Sequence, residues 1–169
     1  MKKFIVLVAV FVFIGCINKK DEIIIPKNSI RFRVIANSNS IKDQAVKRVV
    51  VKNLKKDINN IEIKSKDKET TRKIINDNIP LLENTITNTL KNKNYKINYG
   101  LNYFPRKIYK NIIYEEGNYE SLVITLGNGE GNNFWCVLFP PLCLLDEDEE
   151  NKNDVIYTSF IKEIINRYL

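Results

Sequence analysis

The sequence predicts a single α+β domain, with a mostly antiparallel or mixed sheet packed by two or three helices, on three observations. Ser29 to Ala36 alternates apolar and polar residues, two long stretches with helical spacing follow it, and from Tyr95 onward the period falls to two. One strand followed by two successive helices fits an α+β layer better than a doubly wound sheet. The 169 residues leave room for one ordinary core and no second domain.

The elements follow in order. Residues 1–16 read as a signal peptide: Lys2 and Lys3 form a short positive region, Phe4 to Ile14 is an unbroken apolar run, and Gly15-Cys16 ends it. Phe4 to Ile17 would reach only about 21 Å as a helix, short of the ~30 Å hydrocarbon core that a membrane span must cross. Phe13-Ile14-Gly15-Cys16 is similar to a lipobox with Phe where Leu is usual, which makes Cys16 a candidate for lipidation. An ordinary or uncleaved leader is the alternative, and both readings put the domain outside the cytoplasmic membrane. A lipid on Cys16 would tether it to the outer leaflet, with Lys19 and Lys20 adding attraction to anionic head groups.

Residues 17–28 read as a connector and 29–169 as the folded domain. Ile30, Phe32 and Val34 fall on one face of the first strand, Arg31 and Arg33 on the other, which the alternation assigns to an accessible surface. Asn37-Ser38-Asn39-Ser40 is a turn, and Ser40 with Asp43 is a weak capping box. Ile41, Ala45, Val49, Val50, Leu54, Ile58 and Ile61 then mark a helix of about five turns with a lysine-rich outer face. A second helix is expected over Lys68 to Leu90, turning Ile74, Ile75, Ile79, Leu82, Ile86 and Leu90 inward, with Pro80 as a break or kink. Tyr95 to Tyr99, Lys107 to Tyr114 and Tyr119 to Leu126 read as antiparallel strands. Phe134 to Phe139 reads as a central strand closed by Pro140-Pro141. Asp154 is positioned to cap a last helix carrying Ile156, Phe160, Ile161, Ile164, Ile165 and Tyr168.

Composition narrows the chemistry. The chain has no histidine, which removes the commonest general base and metal ligand and excludes Ser-His-Asp and Cys-His mechanisms. Lys and Arg outnumber Asp and Glu by 27 to 20, a modest excess once Lys2 and Lys3 are assigned to the leader. The lysines between Lys42 and Lys110 lack aromatic interleaving, so no nucleic-acid partner is expected. Gly127-Asn128-Gly129-Glu130-Gly131 lies between two strands, without the following helix of a phosphate loop. It reads as a glycine-rich turn or an exposed recognition loop. The acidic run Asp146 to Glu150 lacks the ligand spacing and central Gly of a Ca²⁺ loop and reads as solvated charge. No metal, cofactor, small-molecule substrate or catalytic residue is assigned.

With Cys16 consumed by processing, Cys136 and Cys143 remain as a pair in a chain that leaves the reducing cytosol. A disulfide and two buried free thiols both stay open. Glu130 near Cys136 defines a rival enzyme reading, carboxylate base and thiol nucleophile, which would need a neighbouring Lys or Arg to lower the thiol pKa. Trp135 and Phe139 read as core.

Ile30-Arg31-Phe32-Arg33-Val34-Ile35-Ala36-Asn37-Ser38 with Asp43-Gln44, and Gly117 through Glu120 and Leu122 to the run Trp135-Cys136-Val137-Leu138-Phe139-Pro140-Pro141-Leu142-Cys143, resemble the stage II sporulation protein R family. The resemblance covers roughly Ser29 to Asp146. It implies a secreted or lipid-anchored intercellular signal of endospore formation, exported across the forespore membrane into the intermembrane space. There it would activate a membrane-embedded protease of the stage II sporulation protein GA type, an aspartic protease that processes the mother-cell sigma factor precursor. On this reading the chain is a ligand and its partner carries out the hydrolysis. Phe134, where a second Trp is expected, and the lipobox-like Cys16 depart from the family pattern. Arg31, Arg33, Asn37, Asp43, Glu120 and Glu130 are the candidate partner-binding residues. A thiol-dependent extracytoplasmic enzyme and a structural envelope protein are the rival classes.

Overall fold

The computed structural model describes residues 22–92, 94–109, 112–143 and 154–168. The leader with Cys16, the acidic run Asp146 to Glu150 and the side chains of Ile156 and Phe160 lie outside the described residues. In chain order the elements are β1 (Ile23–Ile24), β2 (Ile30–Ile35), α1 (Ile41–Lys64), α2 (Lys68–Leu90), β3 (Tyr95–Phe104), β4 (Lys107–Tyr109), β5 (Ile112–Tyr114), β6 (Gly117–Leu126), β7 (Asn133–Phe139) and α3 (Asp154–Tyr168). None of the described helices is long and apolar enough to cross a membrane.

The class is α+β, with three helices and two mixed sheets. The larger sheet runs β3-β6-β2-β7 and the smaller β1-β5-β4. β3 and β7 pair antiparallel with β6 and β2, while β2 and β6 at the centre are parallel, with Arg31 opposite Ser121 and Arg33 opposite Val123. A parallel pair needs a long crossover, here supplied by both long helices, β3, β4 and β5.

The two long helices each begin where a side chain satisfies a first free N–H group. Ser40 Oγ accepts from the Asp43 N–H at 3.1 Å, and an Asp67 oxygen accepts from the Thr70 N–H at 2.7 Å. α2 runs through Pro80 to end on Lys91 in the left-handed conformation (φ 57°). The Lys91 N–H donates to the Thr87 carbonyl. α1 is 24 residues long, more than the expected five turns. Its Val50, Leu54, Ile58 and Ile61 are buried as predicted, whereas Ile41 (89% exposed) and Val49 (51%) point to solvent.

The helix-facing side of the larger sheet forms the main core. Ile30, Phe32 and Val34 of β2 with Leu122 and Ile124 of β6 meet Leu54, Ile58 and Ile61 of α1 and Ile75, Leu82 and Ile86 of α2. A second core joins Ile23, Ile25, Ile112, Val137, Leu142 and Ile161. The segment read as a connector therefore contributes strand β1, and Lys107 to Tyr114 divides into a hairpin that joins β1 instead of the larger sheet. β7 lies at the edge of its sheet and β2 at the centre, the reverse of what the apolar run at Phe134–Phe139 suggested. The reason is that both faces of β7 are covered, Leu138 in the main core and Val137 in the second.

Candidate functional site

Asn37, Asp43 and the glycine-rich turn come together at one end of the larger sheet. Asn37 bridges two loops: its Nδ2 donates to Asp43 Oδ2 at 2.8 Å, and its Oδ1 accepts the Asn128 N–H at 2.9 Å. Ser38 Oγ donates to the same Asp43 oxygen at 2.6 Å. The Ser38 hydroxyl first, and then the Asn37 amide, hold the Asp43 carboxyl below its ordinary pKa. Asn39 Oδ1 accepts the Asn132 N–H at 2.7 Å, and the Glu130 and Gly131 N–H groups donate to the carbonyls of Asn37 and Ala36. Lys47 Nζ donates to the Asn132 carbonyl at 2.9 Å.

Two glycines are required here. Gly127 sits at φ +56°, where a Cβ would collide with Asn37 Oδ1, and a Cβ on Gly131 would collide with the Ser38 carbonyl. The two motif stretches thus form a single clamped structure, with Glu130 exposed on its turn. The turn lies between β6 and β7, as the sequence placed it.

Glu120 is engaged within the fold. It reaches from β6 to α2, where Arg72 Nε and Nη2 donate to its two oxygens at 2.8 and 2.9 Å. The Tyr99 hydroxyl donates at 2.7 Å and Lys68 Nζ lies at 3.2 Å. The Arg72 hydrogen bonds above all bring the Glu120 pKa down to about 2. Burial, and then the same carboxylate, push the Tyr99 hydroxyl up.

The two arginines depart from expectation. Arg31 is fully buried, because the face of β2 opposite the helices is itself covered by aromatic side chains. Its guanidinium stacks 3.3 Å from the Tyr119 ring centroid, with Phe104 at 5.4 Å and Tyr114 at 5.6 Å. One N–H donates to the Glu115 carbonyl at 3.3 Å. Arg33 is partly exposed, 4.5 Å from the Phe104 centroid. Burial lowers both guanidinium pKa values, and cation–π contact offsets part of the desolvation. Arg31 is thus withdrawn from the accessible surface that the alternation suggested, and Arg33 stays only partly on it.

Cys136 and Cys143 are buried, their sulfurs in direct contact and their Cα atoms 5.3 Å apart, within the span a bridge requires. The carboxylate beside them belongs to Glu62, a buried residue of α1 whose oxygen accepts the Cys143 N–H at 2.8 Å. Glu62 and the two sulfurs lie within 4.8 Å of one another. Sequence reasoning missed Glu62, since nothing local distinguishes it from the charged residues around it. Glu130, the carboxylate proposed for the thiol, is on the exposed turn, while Cys136 packs in the helix-side core. Phe139 is core as expected, and Trp135 packs edge-on against Phe104 and Tyr114.

Comparison with known proteins extends the geometry. Residues 26–149 match the family model for stage II sporulation protein R. The stage II sporulation protein R of Bacillus subtilis (strain 168) is 37% identical over 133 residues, which are 76% of this chain and 59% of that protein. The chain therefore aligns with under two thirds of its relative's length. No solved structure matches. The clamp of Asn37 and Asp43 on the glycine turn and the Trp135–Cys143 run both fall inside the matched region, and the chain belongs to the stage II sporulation protein R family.

Proposed function

We propose that this chain is an extracytoplasmic signal of endospore formation that activates a membrane-embedded aspartic protease, which in turn processes the mother-cell sigma factor precursor. Membership of the family implies a role in the second stage of sporulation, in a family of signalling proteins and not enzymes. The observation that carries the signalling reading is the clamp: the family's motif residues lock a turn in place and leave Glu130 exposed on it, as recognition by a rigid surface requires. Glu130 and the exposed part of Arg33 are the proposed contacts. Asn37, Asp43, Glu120 and buried Arg31 act by holding the frame. The proposal includes a leader over residues 1–16 with a lipobox-like end, Cys16 being the lipid site that stays with the domain, and a Cys136–Cys143 bridge formed outside the reducing cytosol.

The test is co-expression of the full chain, the cognate protease and a tagged sigma-factor precursor in a non-sporulating host, with a leaderless chain in parallel. Processing is expected only with the exported chain. Glu130→Lys should lower it at least tenfold with unchanged thermal stability. An exported, folded and abundant chain that yields no processing would sink direct activation.

A further inference from the structure

A groove of about 470 Å³ lies between α1 and β7. Its floor is apolar, built by Phe32, Val51 and Phe134 above the sulfurs of Cys136 and Cys143. Its α1 wall is basic, carrying Arg48, Lys52 and Lys55, and no Asp or Glu lines it. Lys47, at one end, is held by Gln44 and the Asn132 carbonyl. An apolar floor under cations of one sign selects a ligand that is both apolar and anionic.

Two observations choose among such ligands. The volume holds a few large side chains, and a pair of long acyl chains would overfill it. The other wall is β7, which pairs with β2 on one side and with no strand on the other among the described residues. An edge strand presents backbone N–H and C=O groups to an extended peptide. We propose that this groove takes an extended acidic segment of a partner protein, its apolar side chains on Phe32, Val51 and Phe134 and its carboxylates against Arg48 and Lys52. The inference rests on the partner-recognition reading above and locates a binding surface that the motif residues do not include.

The test places p-benzoylphenylalanine at Lys52, in the groove, or at Asn98, exposed on β3, in the full exported chain co-expressed with the protease, and maps the photo-crosslinks by mass spectrometry. Processing is followed for Arg48→Glu/Lys52→Glu and for Lys56→Glu, an exposed α1 control outside the groove. The expected result is a Lys52 crosslink to an acidic extracytoplasmic segment of the protease, none from Asn98, processing reduced at least tenfold by the double reversal, and processing within twofold of wild type for the control. Crosslinks from Lys52 only to lipid or only within this chain, or a double reversal that processes like wild type, would overturn the groove assignment. Wild-type processing with no Lys52 crosslink removes the groove and leaves the activation reading standing. A Lys52 crosslink to the protease without processing supports the groove and removes activation.

Discussion

At the scale of single residues, Glu120 ties β6 to α2 through Arg72, Lys68 and Tyr99, with its carboxyl held at about 2. A depressed folded-state pKa contributes stability that is present above the ordinary value near 4.5 and is lost as pH falls from there towards 2. Glu120→Gln is expected to cost about 1–3 kcal/mol at neutral pH. In urea unfolding the gap from wild type should narrow by pH 3, and a gap that stays constant would refute the ion-pair account. Gly127→Ala places a methyl group against Asn37 at a positive φ and should cost about 1–3 kcal/mol, measured the same way. Motif residues were legible as a set, but their individual roles were not. Alternation along β2 correctly put Arg31 on the face away from Phe32, but whether that face is wet depends on Phe104, Tyr114 and Tyr119, more than seventy residues later. No local pattern reports that.

At the scale of elements, the helices were the most legible part, because caps and a 3.6-residue period are local. α2 spans Lys68–Leu90 as the sequence indicated. Ile41 and Val49 misled because Ile41 sits in the first turn of the 24-residue α1, ahead of its buried stripe, and Val49 stands one residue off the face formed by Val50, Leu54, Ile58 and Ile61. The second sheet was hidden for a different reason: two- and three-residue strands carry too few alternations to show a period. β7 shows that an apolar run reports coverage of both faces and says little about position within a sheet. If Cys136 and Cys143 are joined, the short loop between them is closed in the unfolded chain as well. Reductant should then lower stability by about 2–3 kcal/mol. Neither thiol should react with alkylating reagent in urea until reductant is added, and free reaction without reductant would exclude the bridge.

At the scale of the whole molecule, the second core depends on β1, since Ile23 and Ile25 pack with Ile112 and Val137. A chain starting at Lys27 should lose about 3 kcal/mol or more and show a lower thermal midpoint. An unchanged midpoint would mean that β1 is dispensable. The class was readable from the order of periods, one strand, two helices, then strands. The central parallel pairing was not, because register between distant strands is set by the finished core. That pairing also bears on when the domain can exist at all. β2 is among the first elements made, yet it sits between β6 and β7, and Asn37 waits 91 residues for Asn128. Closing so long a loop costs entropy before any contact repays it. No early half of the sheet can mature alone, because β2 lacks both of its neighbours until β6 and β7 exist. The domain acquires its shape only after its last third has been made.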